Sequence, residues 1–197
     1  MCWKVSLQVV FKMRPWERVA VVGVPGAGKT SLCTAASENS KYQHVNYGRV
    51  MLEIAQNRGL ATTLPEMFSL DLTIQHGIWE KTALQIKDKK NILLDLHGLD
   101  HFREGYLISL PLNIIRPDII IIIESAYEDI IHRIRADPMK KRIIPGQKTH
   151  NEHVKMLRLA MISASACLGC NLIILNNYDF ETCLTELESI LVNKSDY

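Results

Sequence analysis

The segment at residues 23–30 constrains the fold of this chain more than any other. It reads GVPGAGKT and matches the pattern G-x-x-x-x-G-K-[ST] at every fixed position. An apolar run at residues 18–23 leads into it, and residues 29–39 continue with helical spacing. A strand, a glycine-rich turn and a helix in this order predict a loop whose backbone N–H groups, together with the helix N-terminus, face a phosphate.

Two residues of this loop and one acid further along the chain predict how the phosphate is held. Lys29 supplies a cation for the β and γ phosphates of a nucleoside triphosphate, and the Thr30 hydroxyl is placed to bind Mg²⁺. Asp95 ends an apolar run, where we expect it to hold Mg²⁺ through water. The sequence therefore predicts a triphosphate site with Mg²⁺ as cofactor. The residues expected to bind this nucleoside triphosphate are Gly23, Val24, Pro25, Gly26, Ala27, Gly28, Lys29, Thr30 and Ser31.

Apolar runs alternate with periodic segments along the rest of the chain, which is the pattern of βαβ units. We predict strands at residues 18–23, 44–47, 91–96, 119–123 and 172–175. We predict helices at residues 29–39, 49–57, 70–87, 126–135, 149–168 and 180–192. The expected fold class is α/β, a P-loop fold with a five-stranded parallel sheet, helices on both faces and ligands at the carboxyl ends of the strands.

Composition excludes several classes of protein. The 23 Lys and Arg nearly cancel the 21 Asp and Glu, so we expect no nucleic-acid partner. The longest purely aliphatic run, residues 119–123, is far shorter than the roughly 20 residues of a membrane span, so we expect no membrane association. The five cysteines are too few and too scattered for a disulfide framework, which favours a cytoplasmic protein with reduced thiols.

Three further motifs follow the loop in a fixed order. Residues 46–52 read NYGRVML, residues 95–97 read DLH, and residues 105–111 read GYLISLP. Together with the loop they resemble the archaeal adenylate kinases, which carry N-[FY]-G-D-x-M-L, D-T-H and G-Y-L-x-x-L-P in the same order. The resemblance spans about residues 18–193 without a break.

The resemblance implies an enzyme that transfers a phosphate reversibly from ATP to AMP, gives two ADP, uses Mg²⁺ and maintains the adenine nucleotide balance. Residues 44–88 would bind the nucleoside monophosphate, and residues 135–150 would form a short basic lid over ATP. The acceptor-binding residues implied are Asn46, Tyr47, Gly48, Arg49, His97, Arg103 and Tyr106. The catalytic residues expected are Lys29, Arg142 and Arg158.

Cations are expected to converge on the transferred group, because two bound nucleotides bring several negative charges together. Arg142 and Arg158 are the two that we expect to stabilise the transition state. The basic segment that leads into and through the predicted lid contains Arg133, Arg135, Lys140, Lys141, Arg142 and Lys148.

Three departures from the family pattern concern the acceptor. Arg49 stands where the family often has Asp, residues 64–68 read LPEMF without a cation, and His101 stands at the position of a family arginine. A nucleotide phosphate needs guanidinium partners, which Arg49, Arg58 or Arg103 could supply. Two alternatives therefore stay open: a kinase of another monophosphate such as CMP, and a P-loop ATPase that acts as an assembly factor.

The domain organisation follows from the position of the first strand. Relatives begin almost directly at that strand, so we expect residues 1–17 to be an N-terminal extension, with Met13 as an alternative start. Residues 18–197 would form a single kinase domain. Related archaeal enzymes form trimers, so the resemblance also implies a homo-oligomer.

Overall fold

The structure, a computed structural model, describes residues 15–102, 105–136 and 146–192. Strands and helices alternate through most of these residues. The strands are β1 (Arg18–Val22), β2 (Gln43–Asn46), β3 (Ile92–Asp95), β4 (Leu99–Phe102), β5 (Gly105–Ile108), β6 (Ile119–Glu124) and β7 (Asn171–Asn176). The helices are α1 (Lys29–Glu38), α2 (Tyr47–Asn57), α3 (Leu64–Phe68), α4 (Leu72–Ile86), α5 (Tyr127–Ala136), α6 (Gln147–Leu168) and α7 (Phe180–Val192).

The main sheet has five strands in the order β2-β3-β1-β6-β7. All four neighbouring pairs are parallel. These are the five strands that the sequence predicts, so the α/β class and the five-stranded parallel sheet are confirmed. Because the strands are parallel, their carboxyl ends meet at one edge, which is where ligands bind in such folds.

The isoleucine run forms the centre of the core. Every side chain of residues 119–123 in β6 is fully buried. Since neighbouring residues of a strand point to opposite faces, both faces of the sheet must be covered. None of the described helices is long and apolar enough to span a membrane.

The sequence prediction missed the antiparallel hairpin of β4 and β5. Its strands have only four residues each, and Leu107 and Ile108 are exposed, so no buried alternation marks them. Gly98 explains where the hairpin begins. Its φ of 84° is in the left-handed region, and a Cβ atom there would lie 2.8 Å from Val22 Cβ. The hairpin is thereby packed against the end of β1.

Helix boundaries differ from the prediction where a polar side chain caps the backbone. Asn46 accepts a hydrogen bond from the Arg49 N–H, so α2 begins directly after Asn46, inside the predicted second strand. Asp71 likewise accepts from the Thr73 N–H, and α4 begins two residues later than predicted. Helix α6 starts at Gln147, two residues earlier than predicted, but without a side-chain cap, since its N-cap residue is Gly146.

The short helix α3 was not predicted, because five residues are too few to show a helical period. Thr63 caps it by accepting from the Glu66 N–H at 3.3 Å, and Pro65 stands in its first turn. The helix leaves Leu64 and Phe68 exposed at the surface.

Candidate active site

The predicted phosphate loop connects the end of β1 to the start of α1. Gly26 and Gly28 have φ values of 90° and 94°, which glycine adopts without strain. A Cβ atom on Gly28 would lie 2.3 Å from Asn177 Nδ2. One on Gly23 would lie 2.5 Å from the Ile123 carbonyl oxygen. Space and backbone conformation therefore both require glycine in this loop.

Side chains from outside the loop hold its carbonyl groups. Asn177, which is 1% exposed, donates from Nδ2 to the Ala27 carbonyl oxygen at 2.8 Å. Arg133 donates from Nη1 to the same oxygen at 3.3 Å and to Ser125 Oγ at 2.9 Å. The structure thus places Arg133 against the backbone of the loop and not in the lid segment. The sequence contains no signal for the contact of Asn177 with the loop, because Asn177 follows the last strand and is 150 positions away from Ala27.

Lys29 lies inside the loop, as its place in the motif predicts. Its side chain is buried, and Nζ donates to the carbonyl oxygens of Gly23 at 2.7 Å and Val24 at 3.0 Å. A buried ammonium is stable only with such oxygen partners. The loop therefore contains a positively charged ammonium group, fixed by hydrogen bonds, beside the backbone N–H groups that would face a phosphate.

Thr30 and Asp95, the two predicted Mg²⁺ ligands, lie together at the carboxyl ends of β1 and β3. The Thr30 hydroxyl donates to Asp95 Oδ2 at 2.7 Å. Asn46 Nδ2 donates to the same oxygen at 2.6 Å, and His44 Nε2 lies 3.3 Å from it. All of these contacts use Oδ2. Asp95 Oδ1 and the Thr30 hydroxyl are hard oxygen donors of the kind that Mg²⁺ prefers, so these residues fit that ion.

The carboxyl group of Asp95 stays ionised although it is 97% removed from solvent, with 3% exposure. Burial raises its pKa, but hydrogen bonds from His44, Thr30 and Asn46 and the charge of Lys29 hold the pKa below its usual value. The site is therefore a buried carboxylate beside a buried ammonium. Sequence reasoning missed His44, whose only signal was its place two residues before Asn46 on the same face of a strand.

The predicted acceptor residues in α2 have mixed surroundings. Asn46 bonds to Asp95 and so joins the acceptor segment to the phosphate loop. Tyr47 is buried, its hydroxyl donates to the Trp79 carbonyl oxygen at 2.6 Å, and burial raises its pKa. Arg49 is 81% exposed and has only a 3.4 Å ion pair with Glu53. Tyr47 thus supports the helix, and Arg49 is an accessible cation, as is Arg58 at the end of α2.

Gly48, also predicted to bind the acceptor, is the second residue of α2 and is half-buried. A Cβ atom there would have only Asn46 Oδ1 nearby, at 3.7 Å. The protein itself therefore does not require glycine at this position. A ligand that approaches the backbone closely would supply such a reason.

His97 and Tyr106 lie at the hairpin, beyond the end of β3. His97 is tied to the loop, because its carbonyl oxygen accepts from the Gly23 N–H at 3.2 Å. Its Nδ1 lies 2.9 Å from Asp100 Oδ1. Tyr106 stacks on His101 with ring centroids 4.6 Å apart. The hairpin therefore carries His101 at the position of a family arginine, and Arg103 lies outside the described residues.

Arg158 on α6 meets a partner that the sequence reasoning missed. Its Nε donates to Glu124 Oε1 at 2.5 Å, and its Nη2 donates to Glu124 Oε2. Glu124 is the last residue of β6 and resembles Asp95 in one respect, since both are acids that end a buried strand. An acid at the end of an apolar run was therefore the feature of the sequence that could have identified Glu124 as a site residue. Arg142 and residues 137–145 of the predicted lid lie outside the described residues.

Comparisons with known proteins identify the family of the chain. Residues 22–150 match the family model described as an AAA domain. The chain is 43% identical to the adenylate kinase homolog of Methanothermobacter thermautotrophicus, over 88% of this chain and 91% of that protein. It is 34% identical to the adenylate kinase of Methanopyrus kandleri, over 82% of this chain and 89% of that protein.

Solved structures show the same fold at low identity. Shikimate kinase from Bacteroides thetaiotaomicron superposes with a TM-score of 0.58 at 15% identity, over 90% of this chain and 99% of that chain. A gluconokinase from Sinorhizobium meliloti superposes with a TM-score of 0.55 at 12% identity, over 93% of this chain and 96% of that chain.

The phosphate loop, the parallel sheet and these structural neighbours define the class: the protein is a P-loop protein with the fold of small-molecule kinases. Within that class, the chain belongs to the family of the archaeal adenylate kinases and their homologues. The resemblance drawn from the sequence motifs is thereby confirmed.

Proposed function

We propose that the protein is an adenylate kinase, which transfers the γ-phosphoryl group of ATP to AMP reversibly and with Mg²⁺, giving two ADP. One observation carries the proposal. The Asp95 carboxylate accepts hydrogen bonds from Thr30 of the phosphate loop and from Asn46 at the start of the acceptor segment. A single buried group thus links the place for the donor to the place for the acceptor. Relatives named adenylate kinase, at 30–34% identity, support the same activity.

The chemistry of phosphoryl transfer suits the residues present. The protein has little covalent work to do, since positioning and charge neutralisation lower the barrier. Lys29 and the loop N–H groups would hold the β and γ phosphates. Thr30 and Asp95 would hold Mg²⁺, which neutralises phosphate charge when bound. Arg158 would face the transferred group, and Arg142 would join it from the lid at residues 135–150.

On the acceptor side, the proposed binding residues begin at Asn46, next to the phosphate loop. Arg49 and Arg103 would pair with the monophosphate, and Gly48 would allow its close approach. His97 and Tyr106 would line the far wall, on the hairpin. The proposed setting is the cytoplasm, with ATP and AMP as the ligands and a homo-oligomer as the assembly.

A second candidate function is transfer to another monophosphate such as CMP. It is favoured by α3, where the family carries arginines. This helix has the apolar Leu64 and Phe68 at its surface, and its one charged residue, Glu66, bonds to Thr62 at 2.7 Å. A cation-free helix at this position would change how the acceptor is held.

The two candidates separate in a coupled assay of ADP release. Purified protein is given ATP with Mg²⁺ and, in turn, AMP, CMP, UMP, GMP or no acceptor. Turnover chiefly with AMP is the expected result. Preference for another monophosphate would replace the acceptor and leave the donor site unchanged. ADP release that does not depend on any acceptor would contradict both candidates and favour an ATPase that acts as an assembly factor.

A further inference from the structure

We propose that Glu124 is a positioning residue, which holds the Arg158 guanidinium in the orientation that phosphoryl transfer requires. The inference rests on the proposed function, because it concerns the same transferred group. Two parallel N–H···O contacts join the residues, from Arg158 Nε and Nη2 to the two oxygens of Glu124. A paired contact of this kind fixes the plane of the guanidinium as well as its distance.

The pair lies beside the phosphate loop. In the register of β1 and β6, Val22 pairs with Ile122, so the last residues of β6 run alongside the first residues of the loop. The Gly23 backbone approaches so closely that a Cβ atom there would lie 2.5 Å from the Ile123 carbonyl oxygen. Glu124 follows directly, and its own carbonyl oxygen accepts from the Asn177 N–H at 2.7 Å.

The two partners differ in exposure, and the difference suits their roles. The Glu124 side chain is 11% exposed and stands at the end of a rigid central strand. The Arg158 side chain is 49% exposed. A carboxylate on a buried strand moves little, so it gives the arginine a fixed point of attachment. The arginine in turn reaches from α6 towards the edge of the sheet where ligands bind.

The geometry leaves one edge of the guanidinium for a ligand. Arginine has five N–H donors, and Glu124 uses the edge formed by Nε and Nη2. Among the described residues, none accepts from Nη1. The edge formed by Nη1 and the second N–H of Nη2 can therefore bind two phosphate oxygens without loss of the carboxylate contact.

The contact with Glu124 orders the Arg158 side chain before the substrate binds. A free arginine side chain samples many rotamers, and ordering it at the moment of reaction costs free energy. Glu124 orders it in advance, which is the preorganisation that favours a transition state. The charge of Arg158 is also kept, because the Glu124 carboxylate raises its pKa.

The test is a double-mutant cycle in the full-length chain, with Glu124→Gln, Arg158→Lys and the double variant. Glu186→Gln is the matched control, since Glu186 is an exposed acid on α7. For each, kcat and the KM for ATP and for the acceptor are measured, with the acceptor that the wild type uses best. Circular dichroism confirms that each variant is folded at the assay temperature.

We expect Glu124→Gln to lower kcat by about 100-fold with the KM for ATP changed by less than about threefold. Arg158→Lys cannot form the paired contact, so Glu124→Gln added to it should lower kcat by less than about twofold more. Glu124→Asp should recover part of the lost kcat. Glu186→Gln should stay within about twofold of wild type.

Three outcomes overturn the inference. A folded Glu124→Gln variant with wild-type kcat would do so while leaving the proposed function intact. Equal losses from Glu124→Gln in the wild-type and Arg158→Lys backgrounds would assign Glu124 a role independent of Arg158. A wild-type protein that transfers phosphate to none of the four monophosphates would overturn the proposed function first, and the inference with it.

Discussion

The phosphate loop and the acceptor side are joined at Asp95 but are built in different ways. We define the acceptor side as residues 43–59, residues 97–102 and 105–108 with the β4–β5 hairpin, and His153 of α6, whose Nε2 lies 3.0 Å from the Leu99 carbonyl oxygen. Two buried polar side chains, Lys29 of the loop and Asn177 after β7, bond to backbone carbonyl groups of the loop. On the acceptor side, Arg49 is exposed, and His97 pairs with Asp100 three residues further along the chain. A site that backbone geometry defines is rigid, whereas a site that side chains define can change its ligand.

The contrast explains why one half of the site is common to many enzymes and the other is particular to each. Any nucleoside triphosphate presents the same phosphates to a loop of N–H groups. The acceptor is recognised by side chains from several elements, and replacement of an arginine by a histidine there leaves the fold unchanged. The predictions below test whether the two regions are as independent as this implies.

The largest expected effect is on the loop. Lys29→Met removes a buried ammonium that faces the phosphate site and contributes to the low pKa of Asp95. We expect kcat for ADP formation to fall by about 1000-fold. Lys89→Met, a change of the same kind at an exposed lysine far along the chain, should leave kcat within about twofold of wild type.

A Lys29→Met variant that keeps more than about a tenth of wild-type kcat in the coupled assay would contradict this contrast between the phosphate loop and the acceptor side. That result would mean that the backbone N–H groups alone neutralise the phosphates. Equal losses in both variants would point to a general effect of lost charge. Near-ultraviolet circular dichroism of each variant separates these outcomes from unfolding.

Arg158→Ala is expected to lower kcat by about 100-fold and to change the KM for ATP by less than about threefold. The reason is that a guanidinium on the transferred group acts mainly in the transition state. Arg116→Ala is the control, since Arg116 is exposed and precedes β6. Equal losses in kcat and in ATP affinity would contradict a transition-state role for Arg158 and would indicate that it binds ATP.

The loop should also tolerate side chains less well than the acceptor side does. Gly28→Ala meets both a left-handed φ and Asn177 Nδ2 at 2.3 Å from the added Cβ atom. Gly59, at the end of α2, has a φ of 64° but nothing within 4 Å of its Cβ position. Gly59→Ala thus measures backbone strain alone, which we expect to cost about 1 kcal/mol, against about 2–3 kcal/mol for Gly28→Ala.

Urea unfolding of both glycine variants gives the free energies of unfolding that decide the comparison. Similar values would show that Asn177 moves aside, and that space around the loop is less restrictive than the distances indicate. Binding of ATP to folded Gly28→Ala should also weaken, whereas Gly59→Ala should bind ATP as wild type does.

How far the sequence predicts this molecule depends on how local each feature is. The loop is contiguous, so its pattern alone placed Lys29 and Thr30 correctly beside the strand end. Asp95 was predicted because an acid after an apolar run marks the end of a buried strand. The hairpin was missed, because its two short strands have exposed positions and owe their place to Gly98 packing on Val22.

Contacts between distant segments were the part that the sequence could not supply. The Arg133 side chain is one of many cations in a basic run, and only the fold brings it to the carbonyl of Ala27. The pairing of Glu124 with Arg158 joins residues 34 positions apart. A single sequence contains no signal for such a pair, since strand ends and helix faces meet only through the tertiary fold.

The smallest expected effect is a pH dependence of stability that separates the two regions. On the acceptor side, burial lowers the pKa of His153 from its usual value of 6.5, although a hydrogen bond to the Leu99 carbonyl oxygen opposes this, and the nearby His101 lowers it further. The unfolded chain therefore binds the proton first as pH falls. His153 contributes stability above about pH 6.5, and that contribution is lost as pH falls below this value.

Asp95 behaves in the same sense but in a lower pH range. Its folded pKa is below the usual value of 3.8, so its contribution is present above about pH 3.8 and is lost only in stronger acid. Between pH 7 and pH 5, stability should thus fall through His153, and through His150 of the same helix, whose pKa is also lowered by burial, but not through the loop. Because His153 is partly exposed, we expect a loss of roughly a few tenths of a kcal/mol.

Chemical unfolding of wild type and His153→Gln at pH 7 and pH 5 measures this loss. Glutamine can donate to the Leu99 carbonyl oxygen but does not titrate, so the variant should lose less stability than wild type over this range. His76→Gln, at an exposed histidine on α4, is the control and should follow wild type. If His153→Gln loses as much stability as wild type, the acid sensitivity comes from elsewhere, and the acceptor side is no more sensitive to pH than the phosphate loop.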